Sequence, residues 1–157
     1  MKIVSIDPKT GKEVVTEIAD PDPGFFSFVA GTDLTDEQIK SLIDRMNVSA
    51  DVKALLYSFS KATIKAGKVI LKIGRKIVDI LFAVVRAFPN ITFGVIFGLI
   101  VGALVASIPV IGFVLGSLAT TIAVAFGFVV GAKADLLAGD MGKRVEGILA
   151  QFAPLRT

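Results

Sequence analysis

The chain of 157 residues contains no cysteine, no histidine and no tryptophan. Without cysteine there is no disulfide framework and no thiol nucleophile. Without histidine the commonest general base and the commonest metal ligand are both missing. Tyr57 is the only tyrosine. The first residues, MKIVSIDPKTGKE, have no apolar run of the kind a cleavable secretory signal needs. The most extensive absence is internal: residues 87–132 carry no charge at all.

What is present is strongly apolar. Hydrophobic residues make up 54% and the mean hydropathy is +0.76, above the usual range for a domain in water. The net charge of +3 conceals three regimes. Residues 1–51 hold ten acids and five bases, residues 52–86 hold eight bases and one acid (Asp79), and the neutral block follows. Residues 133–157 then hold four bases and three acids.

Residues 1–30 read as a β-hairpin and a Pro-rich linker. KIVSID alternates, PKTG is turn chemistry and KEVVTEI resumes the alternation. An isolated hairpin is marginal in water, so it is expected to pack on something or to add to a neighbouring subunit. DPDPG at 20–24 reads as a helix-breaking linker, and Phe25, Phe26 and Phe28 as a plug or an interfacial wedge. Residues 31–48 hold a short helix opened by a capping box at Thr35 and Gln38.

Ser49 can cap the next helix, and residues 49–88 predict an amphipathic basic helix. Lys61, Lys65, Lys68, Lys72, Arg75 and Asp79 recur at intervals of 4-3-4-3-4, with Lys76 beside them. On one helix they form a single stripe. Lys61, Lys65, Lys68, Lys72, Arg75 and Lys76 are therefore candidates for contact with anionic lipid headgroups. A bundle around a symmetry axis and a lumen-lining third span over residues 69–88 are the competing uses of this stripe. It lacks the interleaved aromatics that stack on bases, so nucleic acid is not an expected partner.

Residues 90–132 predict a hydrophobic helical hairpin turning near Pro109. Its halves, 91–108 and 110–132, would be about 27 and 34 Å long at ~1.5 Å per residue, against a hydrocarbon core about 30 Å thick. Neither half shows a polar face. The expectation is an all-α membrane protein: a transmembrane hairpin preceded by a long cationic helix, with a small N-terminal β-hairpin. Basic residues on both flanks place both termini on the cytoplasmic side of an inner-type membrane, with residues 133–157 as a tail carrying a short amphipathic helix. The competing expectation is a bundle in which the amphipathic helices wrap the hairpin.

Small residues recur every fourth position in this block. Gly94, Gly98 and Gly102 lead to Ala106; Gly112 and Gly116 lead to Thr120; Gly127 and Gly131 follow. Such spacing lets helix backbones approach closely in a dry environment. It suits closure of the hairpin, and beyond that packing between copies in a homo-oligomer. The pattern over residues 50–132 resembles the hydrophobic hairpin of the pore-forming colicins.

No catalytic set, cofactor motif or metal cluster is legible. Gly139–Arg144 (GDMGKR) brushes against a phosphate loop, but Leu137 stands where its first glycine belongs and Arg144 where Ser or Thr belongs. Glu17, Asp20 and Asp22 lack the spacing of a calcium loop. An enzyme is not expected. Three functions remain open: a homo-oligomeric membrane protein that forms a pore or permeabilises or remodels a bilayer; a membrane-anchored adaptor presenting its acidic head to a protein partner; and a toxin-like or phage-delivered protein, soluble at first, that inserts its hairpin.

Overall fold

A computed structural model describes residues 1–7, 10–127 and 139–156. Among them are seven α-helices and one four-stranded antiparallel sheet. The strands β1 (Lys2–Ile6) and β2 (Glu13–Glu17) form the N-terminal hairpin, with Val4 opposite Val15. Gly11, at φ 70°, turns the chain between them. The helix α1 (Pro23–Ala30) follows. Asp22 caps it by accepting from the Gly24 amide at 2.7 Å, and Pro23 takes the first turn, where its missing N–H is harmless. DPDPG is thus a helix start and not a linker.

The helix α2 (Asp36–Asp44) opens on the capping box of Thr35 and Gln38. Ser49 caps α3 (Ala50–Ser60) through the Val52 amide. The continuous basic helix expected over 49–88 does not exist. After α3 the chain forms β3 (Ile64–Ala66) and β4 (Val69–Leu71), joined by a two-residue turn at Gly67 and Lys68. Gly67 has φ 60°, the conformation that a tight hairpin turn asks of glycine. Only then does α4 (Ile73–Ala87) begin.

β3 pairs with β1, giving the order β2-β1-β3-β4. The marginal N-terminal hairpin is completed by the second hairpin of its own chain. Ile3, Ser5, Ile64, Ala66 and Leu71 are buried under the sheet. The cross-strand row Val15–Val4–Lys65–Ile70 lies on the other face.

Thr92 caps α5 (Phe93–Ser107), and α6 (Pro109–Ala125) follows after Ile108 alone. These two apolar helices are the centre of the molecule. α4 and α7 (Asp140–Phe152) pack on α5, while α3 and β1 pack on α6. A short 3-10 turn, Ala153–Leu155, ends the described chain. One core cluster runs from Ile3 to Leu155 and takes in every described helix.

The expected all-α transmembrane architecture is therefore corrected. Among the described residues no helix is long and apolar enough to cross a membrane. At 15 and 17 residues, α5 and α6 are about 22 and 25 Å long at ~1.5 Å per residue, short of a hydrocarbon core about 30 Å thick. The finding argues equally against the integral inner-membrane location and its cytoplasmic termini. Residues 139–156 are no free tail, since α7 buries Met141, Val145, Ile148 and Phe152 in the common core. The physical reason is that an apolar run avoids water, and neighbouring helices satisfy that as well as lipid does.

Candidate functional site

The candidate site has two parts, the sheathed hairpin and the basic residues of 61–76. Within the hairpin, Ile96, Leu99, Val101, Leu104, Ile111 and Leu115 are fully buried. An aromatic ladder ties the hairpin to its sheath. Phe59 of α3 meets Phe97 at 5.5 Å, Phe97 meets Phe93 at 6.2 Å, and Phe93 meets both Phe82 of α4 and Phe126 at 5.5 Å. Phe82 and Phe97 are buried in the interior, and Phe93 is half-buried between them. The Phe25 side chain is buried as a plug, and the Phe28 ring stands edge-on to Phe152 at 5.3 Å.

The glycines separate by role. A Cβ on Gly112 would stand 2.8 Å from the Val105 carbonyl oxygen, and one on Gly94 would stand 2.7 Å from the Phe126 Cβ. Both are close approaches inside the hairpin. Gly98 is buried. Gly116 is in ordinary contact with Val105, at 3.7 Å, and Gly102 is exposed with no atom within 4 Å of the added carbon. Gly127 takes φ 66° just past α6, and its amide donates to the Val124 carbonyl at 3.0 Å. Gly131 lies outside the described residues. Pro109 is exposed at the first position of α6.

The basic stripe also divides. Lys61 caps the C-terminus of α3, Lys65 is on β3, Lys68 is in the β3–β4 turn and Lys72 precedes α4. All four are exposed, and none forms an ion pair among the described residues. Arg75 and Lys76 instead turn toward the connection between α1 and α2. Arg75 Nε pairs with Asp36 Oδ1 at 2.9 Å, and its Nη2 donates to the Leu34 carbonyl at 3.2 Å. The Lys76 ammonium donates to the Gly31 carbonyl and lies 4.5 Å above the Phe28 ring. Asp79, only 4% exposed, accepts from the Leu34 amide at 3.0 Å and from the Asp33 amide at 3.3 Å.

These three charges clasp residues 31–36, about forty positions earlier in the chain. The spacing that put them on one stripe gave no sign of their partners. The partners of these charges, the acceptors and donors of the 31–36 connection, were not legible in the sequence. Backbone groups carry no residue-type signal, so only Asp36 could have been suspected.

A phenol–carboxylate contact links α2 and α3. The Tyr57 hydroxyl donates to Asp44 Oδ1, and this bond, with smaller help from burial and from the nearby negative charge, pushes the phenol up to about 12.

No protein-family model, curated protein or solved structure matches this chain.

Proposed function

We propose that the protein acts on lipid surfaces by releasing its sheathed hairpin into one leaflet of an anionic bilayer. The single observation that carries this reading is the placement of an uncharged, almost wholly apolar helix pair at the centre of the fold, mostly covered by a sheath that supplies all the charge. A central helix needs no such extreme composition merely to be buried, since a face packed on neighbours is enough. The exposed lysines at 61, 65, 68 and 72 supply attraction, each contributing about 1 kcal/mol near an anionic surface. The hairpin then exchanges protein neighbours for acyl chains, which are comparably apolar. Because α5 and α6 are short, the proposed embedded state perturbs a leaflet and remodels or permeabilises the bilayer without crossing it. Contact between copies would use the Gly102 face, which hairpin closure leaves free.

The chain has no tryptophan, so Phe113→Trp in α6 gives a sole indole reporter. The expected outcome is purification without detergent, followed by quenching of that indole by brominated lipids in phosphatidylserine-containing vesicles and release of an entrapped dye. An indole that is never quenched, with dye fully retained, would sink the reading. The adaptor reading gains no support, because the acidic head is built into the body through β1, β3 and the clasped 31–36 connection.

A further inference from the structure

A cavity of about 550 Å³ opens between α2, α3 and the start of α4. Its volume falls within the range of small-molecule sites, about 300–1,000 Å³. Lys40, Lys61, Lys72 and Arg75 line it, against one carboxylate among the described residues, that of Asp36. That carboxylate is already engaged by Arg75 at 2.9 Å, and Lys40, Lys61 and Lys72, exposed at the cavity wall, have no ion-pair partner among the described residues.

The surroundings add to the excess of positive charge. α4 starts beside this cavity with Lys72 as its capping residue, no side-chain cap bond and no acid in its first turn. Cations at the positive end of a helix dipole repel it. An anion held between Lys61 and Lys72 relieves that repulsion. Among the hydroxyls, Tyr57 is committed to Asp44 and Ser60 to the Tyr57 carbonyl at 2.7 Å, which leaves Thr63 as a neutral donor at the wall.

We infer that this cavity binds a phosphomonoester or pyrophosphate group, whose several acceptor oxygens and double negative charge match the unpaired cations that line it. The inference deepens the lipid-surface reading only in the source of that phosphate: a free phosphate compound, or a lipid headgroup that ends in a monoester. The cavity itself does not depend on the hairpin being released.

The test uses the full chain, inorganic pyrophosphate as the soluble probe, and vesicles containing either phosphatidic acid or phosphatidylserine at matched surface charge. Lys61→Gln/Lys72→Gln removes two cavity cations. Lys65→Gln/Lys68→Gln removes the same charge outside the cavity, and circular dichroism checks that both variants fold. Pyrophosphate is expected to bind the wild type by calorimetry, to weaken about tenfold or more in the first variant, and to stay within about twofold in the second. No measurable binding, or equal losses in both variants, would overturn the cavity and leave only diffuse charge.

A preference for phosphatidic acid that vanishes in Lys61→Gln/Lys72→Gln assigns the lipid source. Pyrophosphate binding without that preference assigns a free phosphate compound. Vesicle binding with no pyrophosphate binding would remove the cavity and spare the lipid-surface reading. Pyrophosphate binding with no vesicle binding would do the reverse.

Discussion

Asp79 sits where α4 meets the α1–α2 connection, and two backbone amides depend on its carboxylate. Replacing it with alanine leaves both amides without this acceptor. Asp79→Ala is expected to lower unfolding stability by about 2–3 kcal/mol, read as a shift of the urea midpoint at unchanged slope. Asp79→Asn keeps one acceptor oxygen but turns an NH2 group toward the other amide, so its loss should be smaller but clear. Tyr57 gives a pH-dependent counterpart. Its folded pKa, raised to about 12, exceeds the unfolded value of 10.0. The folded state therefore holds the phenolic proton more tightly. The contribution is complete below about pH 10 and is lost as pH rises through about 12. As the only tyrosine, Tyr57 can be followed by phenolate absorbance. At about pH 11 the wild type should show less phenolate than Asp44→Asn, which lacks the negative charge.

At the scale of elements, close approach and open surface make opposite demands on the same residue type. Where α5 and α6 turn into each other, Gly112 lies against the Val105 carbonyl; Gly102, on the outer side of α5, touches nothing. Gly112→Leu is therefore expected to destabilise by about 2–4 kcal/mol, because a backbone carbonyl cannot rotate away as a side chain can. Gly102→Leu should stay within about 0.5 kcal/mol in water. If both variants melt alike, hairpin closure does not depend on the Gly112 approach. The junction of α3 and α4 is tighter still. A Cβ on Gly74 would stand 1.9 Å from the Phe59 carbonyl oxygen, so α4 can start where it does only with glycine there.

The β3–β4 hairpin was concealed at this same scale. Ile64, Ala66 and Leu71 point inward with strand periodicity around a glycine turn. The lysines at 61, 65, 68 and 72 happen to fit a helical period as well. Two periods coexist in those residues, and charge spacing is the more conspicuous. Pairing of β3 with β1, more than sixty positions away, decides between them.

Across the whole molecule, charge and apolarity are arranged in layers. The neutral hairpin is mostly innermost, amphipathic helices and the sheet cover all but an edge that includes Gly102, Ala106, Thr120, Thr121 and Val124, and the lysines at 61, 65, 68 and 72 stand on the exterior. In the vesicle assay this arrangement implies attraction that weakens as salt rises, because exposed charges are screened over about 10 Å at 0.1 M ionic strength. Hairpin release, in contrast, should be governed by the packing of α3, α4 and α7 and depend little on salt.

Several local features followed from residue type alone. Thr35 and Ser49 start their helices because a side-chain oxygen can take a free first-turn amide. Pro109 opens α6, and the run without charge had to be kept from water. These are local or compositional demands, and the chain states them within a few residues. What surrounds the hairpin, and which groups Arg75, Lys76 and Asp79 hold, was decided only in three dimensions. Hydropathy measures aversion to water and is silent on what replaces it. An ion pair or a buried acceptor depends on which distant backbone arrives within about 3 Å.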